Sequence, residues 1–258
     1  MYTNYDGLVD FILTNGKQVG PRGKMTTEIV GATITVPSNI LIRRQGGNTR
    51  LIEIETFMLL GGFFDLSVFP HVCSARSIEL LSKQSDYGPR VMREGNWSRA
   101  ITEILKDTHT RRAVVYFNEP TQESNDLACT TSMQFLVRNN HIHGIVSMRS
   151  WDVVYGLPAD LFMFSNLLQA MGRITRGFPC GNLTVQVGSL HMYEDTEFVA
   201  TQKEICEFTT NFFAQSNGDP TFFKEAVRKI ALREVALDEY WNFSSAPKDF
   251  APIHIGGI

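Results

Sequence analysis

The 258-residue chain is 43% hydrophobic and 20% charged, enough apolar material for one large domain (1–258) around a substantial core. Its 24 basic and 27 acidic side chains give a formal net charge of -3, which excludes the broad positive field that holds a nucleic acid polymer, whereas a small anion needs only a local arginine cluster. Asp6 and Asp10 argue against a secretory leader, no run reaches the ~18 apolar residues of a membrane span, and the four cysteines form no CxxC pair, so a cytoplasmic chain with free thiols and no metal is expected.

Residues 5–14 read as a short helix, with Leu8, Phe11 and Ile12 on one face and Asn15-Gly16 as its stop. A polar stretch from Val19 to Thr27 carries Pro21, Arg22, Gly23 and Lys24, and residues 28–42 are extended and rich in β-branched types. Helical periodicity returns over Leu51–Leu60 and ends at Gly61-Gly62. A further helix is predicted at 97–106, then an apolar strand at Ala113–Phe117 and a polar loop from Asn118 to Asp126. The sharpest local signal is a hairpin, Ser132–Arg138 and His141–Met148 around Asn139-Asn140. Pro158 suits the first turn of a long apolar helix running to about Met171. A strand over Leu183–Tyr193 and helices over about 195–208 and 221–241 complete the chain. No repeat or linker divides it, so the pattern predicts one α+β domain.

Cys129 stands where the polar loop meets the hairpin strand, a place from which a side chain can face a cleft. A free Cys is more often a small buried hydrophobe, and a nucleophilic reading requires cations nearby. Arg149-Ser150 ends the second hairpin strand and Arg111-Arg112 opens the strand before the loop. Guanidinium forks beside a Ser hydroxyl suit a phosphate monoester; the alternative is solvated strand ends. Glu55 lies inside an apolar helix, either on its exposed stripe or in a buried polar site that would raise its pKa and suit it for proton transfer. Asp152 and Asp160 bracket the entry of the next helix, where Asp is also a common cap. His191 and Tyr193 alternate on one strand and so face one side.

Taken together, these segments resemble the thymidylate synthase family, including its phage hydroxymethylase branch, from about residue 20 to residue 195. Cys129, Gln134-Phe135 and the run Arg149-Ser150-Trp151-Asp152-Val153-Val154-Tyr155-Gly156-Leu157-Pro158 are similar to that family's nucleophile-to-phosphate-to-folate signature. Gly188-Ser189-Leu190-His191-Met192-Tyr193 is similar to its sugar-binding strand, and Glu55 falls seven residues before Gly62, as the family's catalytic Glu precedes a helix-ending Gly. The resemblance implies a mixed β-sheet flanked by helices, with one sheet face used for homodimerisation. It implies that Cys129 adds to carbon 6 of a pyrimidine nucleoside monophosphate, and that carbon 5 takes a one-carbon unit from 5,10-methylenetetrahydrofolate while Glu55 moves protons. Arg22, Arg111, Arg112, Arg149 and Ser150 are then phosphate ligands, the Arg111-Arg112 pair reaching across the dimer. His191 and Tyr193 meet the sugar, and Asp152 and Gly156 meet the folate.

Departures from the synthase pattern point to a hydroxymethylase that uses dCMP. Asp160 stands where a dUMP-using synthase has Asn. A protonated Asp donates to the bare ring nitrogen of cytosine and accepts from its amino group, the reverse of what uracil asks, and a mismatched buried polar pair costs ~1–3 kcal/mol. No Trp occurs between Gly62 and Trp97, where synthases have Trp sheltering the exocyclic methylene from water. Thr130 replaces a usual His and Ser189 a usual Asp, while Ser150 favours deoxyribose. The alternatives are dUMP methylation, CMP or dUMP hydroxymethylation and, more remotely, a non-catalytic relative that binds nucleotide or RNA. The apolar tail Ala251–Ile258 is a candidate to close over the folate, although it matches the family's tail poorly.

Overall fold

Polar caps and glycines mark where the first helix begins and ends. A computed structural model describes residues 1–44, 48–75, 78, 86–93, 95–118, 127–194, 203–216, 219–236, 239–246 and 252–256. Helix α1 (Tyr5–Asn15) starts where the Asn4 side chain accepts from the Gly7 amide at 2.9 Å, and it buries Leu8, Val9 and Ile12. It stops at Gly16, where a Cβ would lie 2.5 Å from the Ile12 carbonyl oxygen, so the turn excludes any side chain. The further helices are α2 (Thr49–Gly61), α3 (Tyr87–Met92), α4 (Trp97–Lys106), α5 (Gly156–Ile174), α6 (Phe212–Ser216) and α7 (Pro220–Ala231).

The strands are β1 (Tyr2–Thr3), β2 (Lys17–Val19), β3 (Thr26–Pro37), β4 (Ile40–Arg44), β5 (Val114–Tyr116), β6 (Thr130–Arg138), β7 (His141–Asp152), β8 (Cys180–Tyr193), β9 (Lys203–Thr210), β10 (Trp241–Ser245) and β11 (Ile253–Gly256). The main sheet runs β1-β11-β3-β8-β7-β6-β5, with β2 also on β3; β10-β9-β4 form a second sheet. The predicted hairpin is present, and Asn139 and Asn140 have φ of 49° and 60°, the left-handed backbone of a two-residue hairpin turn. β7 and β8 are parallel, as the helical crossover α5 between them requires, and the other pairs are antiparallel, so the main sheet is mixed. The extended stretch 28–42 divides at Ser38-Asn39, sending β3 and β4 into different sheets.

Helix α5 is apolar almost all round because it is covered on both sides. Leu157, Leu161, Phe164, Leu167, Leu168 and Met171 join the core of the main sheet, while Phe162 joins an aromatic cluster built on β9, β10, α2 and α7. Buried Asn166 is satisfied on both ends: Oδ1 accepts from Trp241 Nε1 at 2.9 Å and Nδ2 donates to the Phe162 carbonyl at 2.8 Å. Phe57 of α2 lies at the centre of that cluster, its ring centroid 4.8–6.3 Å from those of Phe212, Phe222, Phe223, Tyr240 and Trp241. Phe57→Ala is expected to cost about 3–5 kcal/mol, read as a lower denaturant midpoint at unchanged m-value.

Three expectations for the C-terminal part are corrected. In place of a helix over 195–208, the described portion is strand β9: Cys206 and Phe208 point inward while Glu207 and Thr209 are exposed, a period of two. Residues 195–202 lie outside the described residues, as do 119–126 of the polar loop. The helix expected over 221–241 ends at Ala231; Arg233 turns left-handed at φ 59° and Trp241 opens β10. In the tail, Ile253–Gly256 is not a flap but β11, hydrogen-bonded between β1 and β3 with Ile253 and Ile255 buried; Ala251, Gly257 and Ile258 lie outside the described residues. No helix of the described residues is long and apolar enough to cross a membrane.

Candidate active site

Polar side chains gather where β6 begins and β7 ends. Ser150 pairs with Ser189, Asp152 with His191, and His191 with Glu28 across β7, β8 and β3. Paired residues on neighbouring strands face the same side of a sheet. Cys129, one residue before β6 and half-buried, belongs to the same group, its Sγ 3.9 Å from Ser150 Oγ. Arg149 holds this segment down. Its Nε donates to the Ala128 carbonyl at 3.1 Å, Nη2 to the Leu127 carbonyl at 2.5 Å, and its amide to the Cys129 carbonyl at 2.9 Å. A Cβ at Gly188 would sit 2.7 Å from the Arg149 carbonyl oxygen, so glycine is what lets β8 approach β7 here.

Asp160 is the fifth residue of α5, surrounded by protein atoms yet open on one side. Oδ2 accepts from Trp151 Nε1 at 2.9 Å. Burial pushes the carboxyl up to about 7; the Trp151 hydrogen bond works against this and the negative charge of Asp152 adds to it. The Tyr87 hydroxyl faces the same place. It accepts from the Thr130 amide at 3.4 Å, and burial, then Asp160, push its pKa well above the ordinary phenol range, with Cys129 adding a smaller push. Asp152 Oδ1 accepts from the Val154 amide at 2.8 Å, a local turn contact; it does not cap α5, whose N-cap is Tyr155 with no side-chain cap hydrogen bond. A Cβ on Gly156 would lie 3.5 Å from both Asp160 Oδ2 and Trp151 Cδ1, which puts this backbone directly over the pair.

On the sugar-strand side, Ser189 Oγ donates to Glu28 Oε2 at 2.5 Å, and His191 Nδ1 is 3.3 Å from the Ser189 carbonyl oxygen. The His191 ring meets Tyr193 edge-on at 5.1 Å, and Lys24 Nζ is 5.8 Å from the Tyr193 ring centre. Arg22 is exposed in the turn Pro21–Gly23 just before β3, whose first residue Thr26 pairs with Tyr193. The structure therefore brings together Cys129, Arg149, Ser150, Asp152, Gly156, Asp160, His191 and Tyr193, with Arg22 at the same sheet end.

The remaining candidates make other contacts within the chain. Arg112 pairs with Glu103 at 3.1 Å, and the Arg111 carbonyl accepts from Gln134 Nε2 at 2.8 Å. Half-buried Glu55 lies beside Cys73, whose thiol is pushed up by burial and then by this carboxylate. Its helix reaches the site indirectly: a Cβ at Gly88 would lie 2.3 Å from the Met58 carbonyl oxygen, so α2 packs tightly on the helix that carries Tyr87. Tyr87, Trp151 and Glu28 are the contributors that sequence reasoning passed over. Trp151 stood inside the quoted signature, whereas the Tyr87–Thr130 contact joins positions 43 apart and has no local signal. Among the described residues no group of His, Cys, Asp or Glu side chains is arranged to hold a metal ion.

Comparison with protein-family profiles matches residues 91–241 to thymidylate synthase. Among curated proteins, the deoxycytidylate 5-hydroxymethyltransferase of Enterobacteria phage T4 is 29% identical over 197 residues, covering 68% of this chain and 78% of that protein. The protein of the same description from Enterobacteria phage T6 is similar to the same extent. The deoxyuridylate hydroxymethyltransferase of Delftia phage PhiW-14 is 24% identical over 185 residues, 64% of this chain and 52% of that protein.

Proposed function

Because this chain belongs to the thymidylate synthase family, whose enzymes act on nucleoside monophosphates with methylenetetrahydrofolate, we propose that it is a deoxycytidylate 5-hydroxymethyltransferase. The observation that carries the choice of base is Asp160: a carboxyl whose pKa is pushed up to about 7, beside Tyr87, which also faces Cys129, offers cytosine one donor and one acceptor. The names of the T4 and T6 relatives support the same reading.

In this mechanism the Cys129 thiolate adds to carbon 6 of the pyrimidine, and the electron pair of the 5,6 double bond makes carbon 5 a nucleophile. Bound methylenetetrahydrofolate supplies one carbon at the oxidation level of formaldehyde. Carbon 5 takes this carbon and gives up its proton, the carbon–nitrogen bond to tetrahydrofolate breaks so that tetrahydrofolate leaves and an exocyclic methylene remains, water adds to that methylene, and the thiolate leaves to restore the double bond. Tyr87 and Glu55 order water and pass protons. The guanidinium of Arg149 has five N–H donors and spends two on carbonyls; the rest, with Ser150 and Arg22, take the phosphate. His191 and Tyr193 hold the sugar, and Glu28 supplies through Ser189 the carboxylate that synthases carry at that position. The residues fit a pterin: Asp152 is a half-buried carboxylate at a helix entry, next to exposed Tyr155 and the Gly156 backbone, and these would bind it. The outer face of the main sheet, with half-exposed Thr35, Thr184, Ile145 and Ser147, supports pairing with a second copy that would bring in Arg111 and Arg112.

A second reading, dUMP hydroxymethylation, is favoured by the name of the PhiW-14 relative alone. Incubation with methylenetetrahydrofolate and dCMP, dUMP or CMP, with products resolved by mass spectrometry, distinguishes them. The expected product is dCMP plus the mass of CH2O; exclusive conversion of dUMP refutes the base assignment.

A further inference from the structure

The indole of Trp151 is 1% exposed, on β7 between Ser150 and Asp152, and its N–H is committed to Oδ2 of Asp160 at 2.9 Å. An indole nitrogen is a donor only, so Oδ2 is compelled to accept. A neutral carboxyl has one oxygen that donates and one that accepts. With Oδ2 fixed as the acceptor, the acid proton is confined to Oδ1, to which no described side chain donates. Moving that proton to Oδ2 leaves the indole N–H only the weakly accepting hydroxyl oxygen, inside a site where water cannot readily take its place.

We propose that Trp151 is a positioning residue that fixes which oxygen of Asp160 bears the acid proton and that, with Oδ1 presented to the ring nitrogen and Oδ2 to the exocyclic group of the base, this makes the site accept cytosine and refuse uracil. The two bases ask for opposite arrangements along the same edge. Cytosine needs a donor toward its ring nitrogen and an acceptor toward its amino group; uracil needs the reverse. A carboxyl whose proton moved freely between its oxygens would serve either base, so Asp160 alone does not make the choice. The inference rests on the reading of Asp160 as the base-contacting group. The titratable groups around that carboxyl are Asp152 at the end of β7, Tyr87 from α3 and, through Tyr87, Cys129. None of them donates to Oδ2, so none takes over from the indole.

The test is kcat/KM for dCMP and for dUMP at one pH below neutrality, in the wild-type protein, in Trp151→Phe, and with Trp151 replaced by 3-benzothienylalanine. The last keeps the bicyclic shape and removes only the donor, so it answers the question even where the Phe variant fails to fold. Loss of one buried donor is expected to lower the dCMP-to-dUMP ratio about ten- to hundredfold, with turnover of dUMP rising in absolute terms. General damage to the core lowers both substrates together and leaves the ratio where it was. A wild-type preference for dCMP that survives intact in the benzothienylalanine protein overturns the inference alone. A wild-type ratio at or below one overturns the Asp160 reading and this inference with it.

Discussion

Replacing Cys129 by Ser is expected to lower kcat at least about a thousandfold while nucleotide affinity changes only a fewfold. The reasoning begins with carbon 5 of a pyrimidine, which is too poor a nucleophile to take an electrophile until carbon 6 is saturated. A thiolate can make that reversible bond at neutral pH and a hydroxyl cannot. Oγ is nearly isosteric with Sγ and finds Ser150 Oγ within the same space, 3.9 Å from the original sulfur, so the pocket and its phosphate contacts survive. Equilibrium dialysis with labelled dCMP measures the binding and single-turnover kinetics the chemistry. A protein that only binds nucleotide is indifferent to the change in both assays; retained turnover in the Ser variant removes the covalent mechanism altogether.

The fold and the site were legible in the sequence wherever the deciding interactions are local. The helix at 97–106, the Asn139-Asn140 hairpin and the apolar crossover helix are each written in periodicity, turn chemistry or a Pro in the first turn. Cys129, Ser150, Asp152 and Asp160 form a spaced signature; strand register brings Ser150 and Asp152 to one sheet end, with Cys129 facing Ser150 and Asp160 hydrogen-bonded to Trp151 between them. What stayed hidden depends on distant partners. Residues 203–210 become a strand because β4 and β10 flank them, and a window count of apolar residues does not see that inward Cys206 and Phe208 alternate with exposed Glu207 and Thr209. Glu28 was read only as part of an extended run; its link to Ser189 crosses 161 positions. Within one copy the Arg112 side chain pairs with Glu103 and the Arg111 backbone carbonyl accepts from Gln134, so the role predicted for this pair depends on a second copy of the chain.

Selectivity for dCMP over dUMP is expected to depend on pH through Asp160, and the direction follows from its environment. Burial raises this carboxyl from the ordinary carboxylate range to about 7, so it stays protonated through mildly acidic pH. Only the neutral acid donates to the ring nitrogen of cytosine. Below about pH 7 that form predominates and the contribution of Asp160 to kcat/KM for dCMP is at its plateau; above it, that contribution falls about tenfold per unit. The ionised carboxylate suits neither base, since it meets one ring acceptor or one carbonyl oxygen unfavourably in each. The dCMP-to-dUMP ratio therefore declines with rising pH and levels off. Ionisation of the Cys129 thiol enters both substrates alike and cancels in the ratio, which is why the ratio is the quantity to measure. The same shift makes binding proton-linked: above pH 7, dCMP recruits the acid form and takes up a proton, which buffer-dependent calorimetric enthalpies detect. Folding carries the opposite sign of benefit, because a carboxyl whose pKa is raised in the folded state loses stability as pH climbs from the ordinary carboxylate range toward 7. Asp160→Ala is expected to lower kcat/KM for dCMP roughly hundredfold to ten-thousandfold and to flatten the pH dependence of the ratio. A ratio that keeps the wild-type pH dependence in Asp160→Ala assigns the titration to another group and ends the case for Asp160 as the reader of the base.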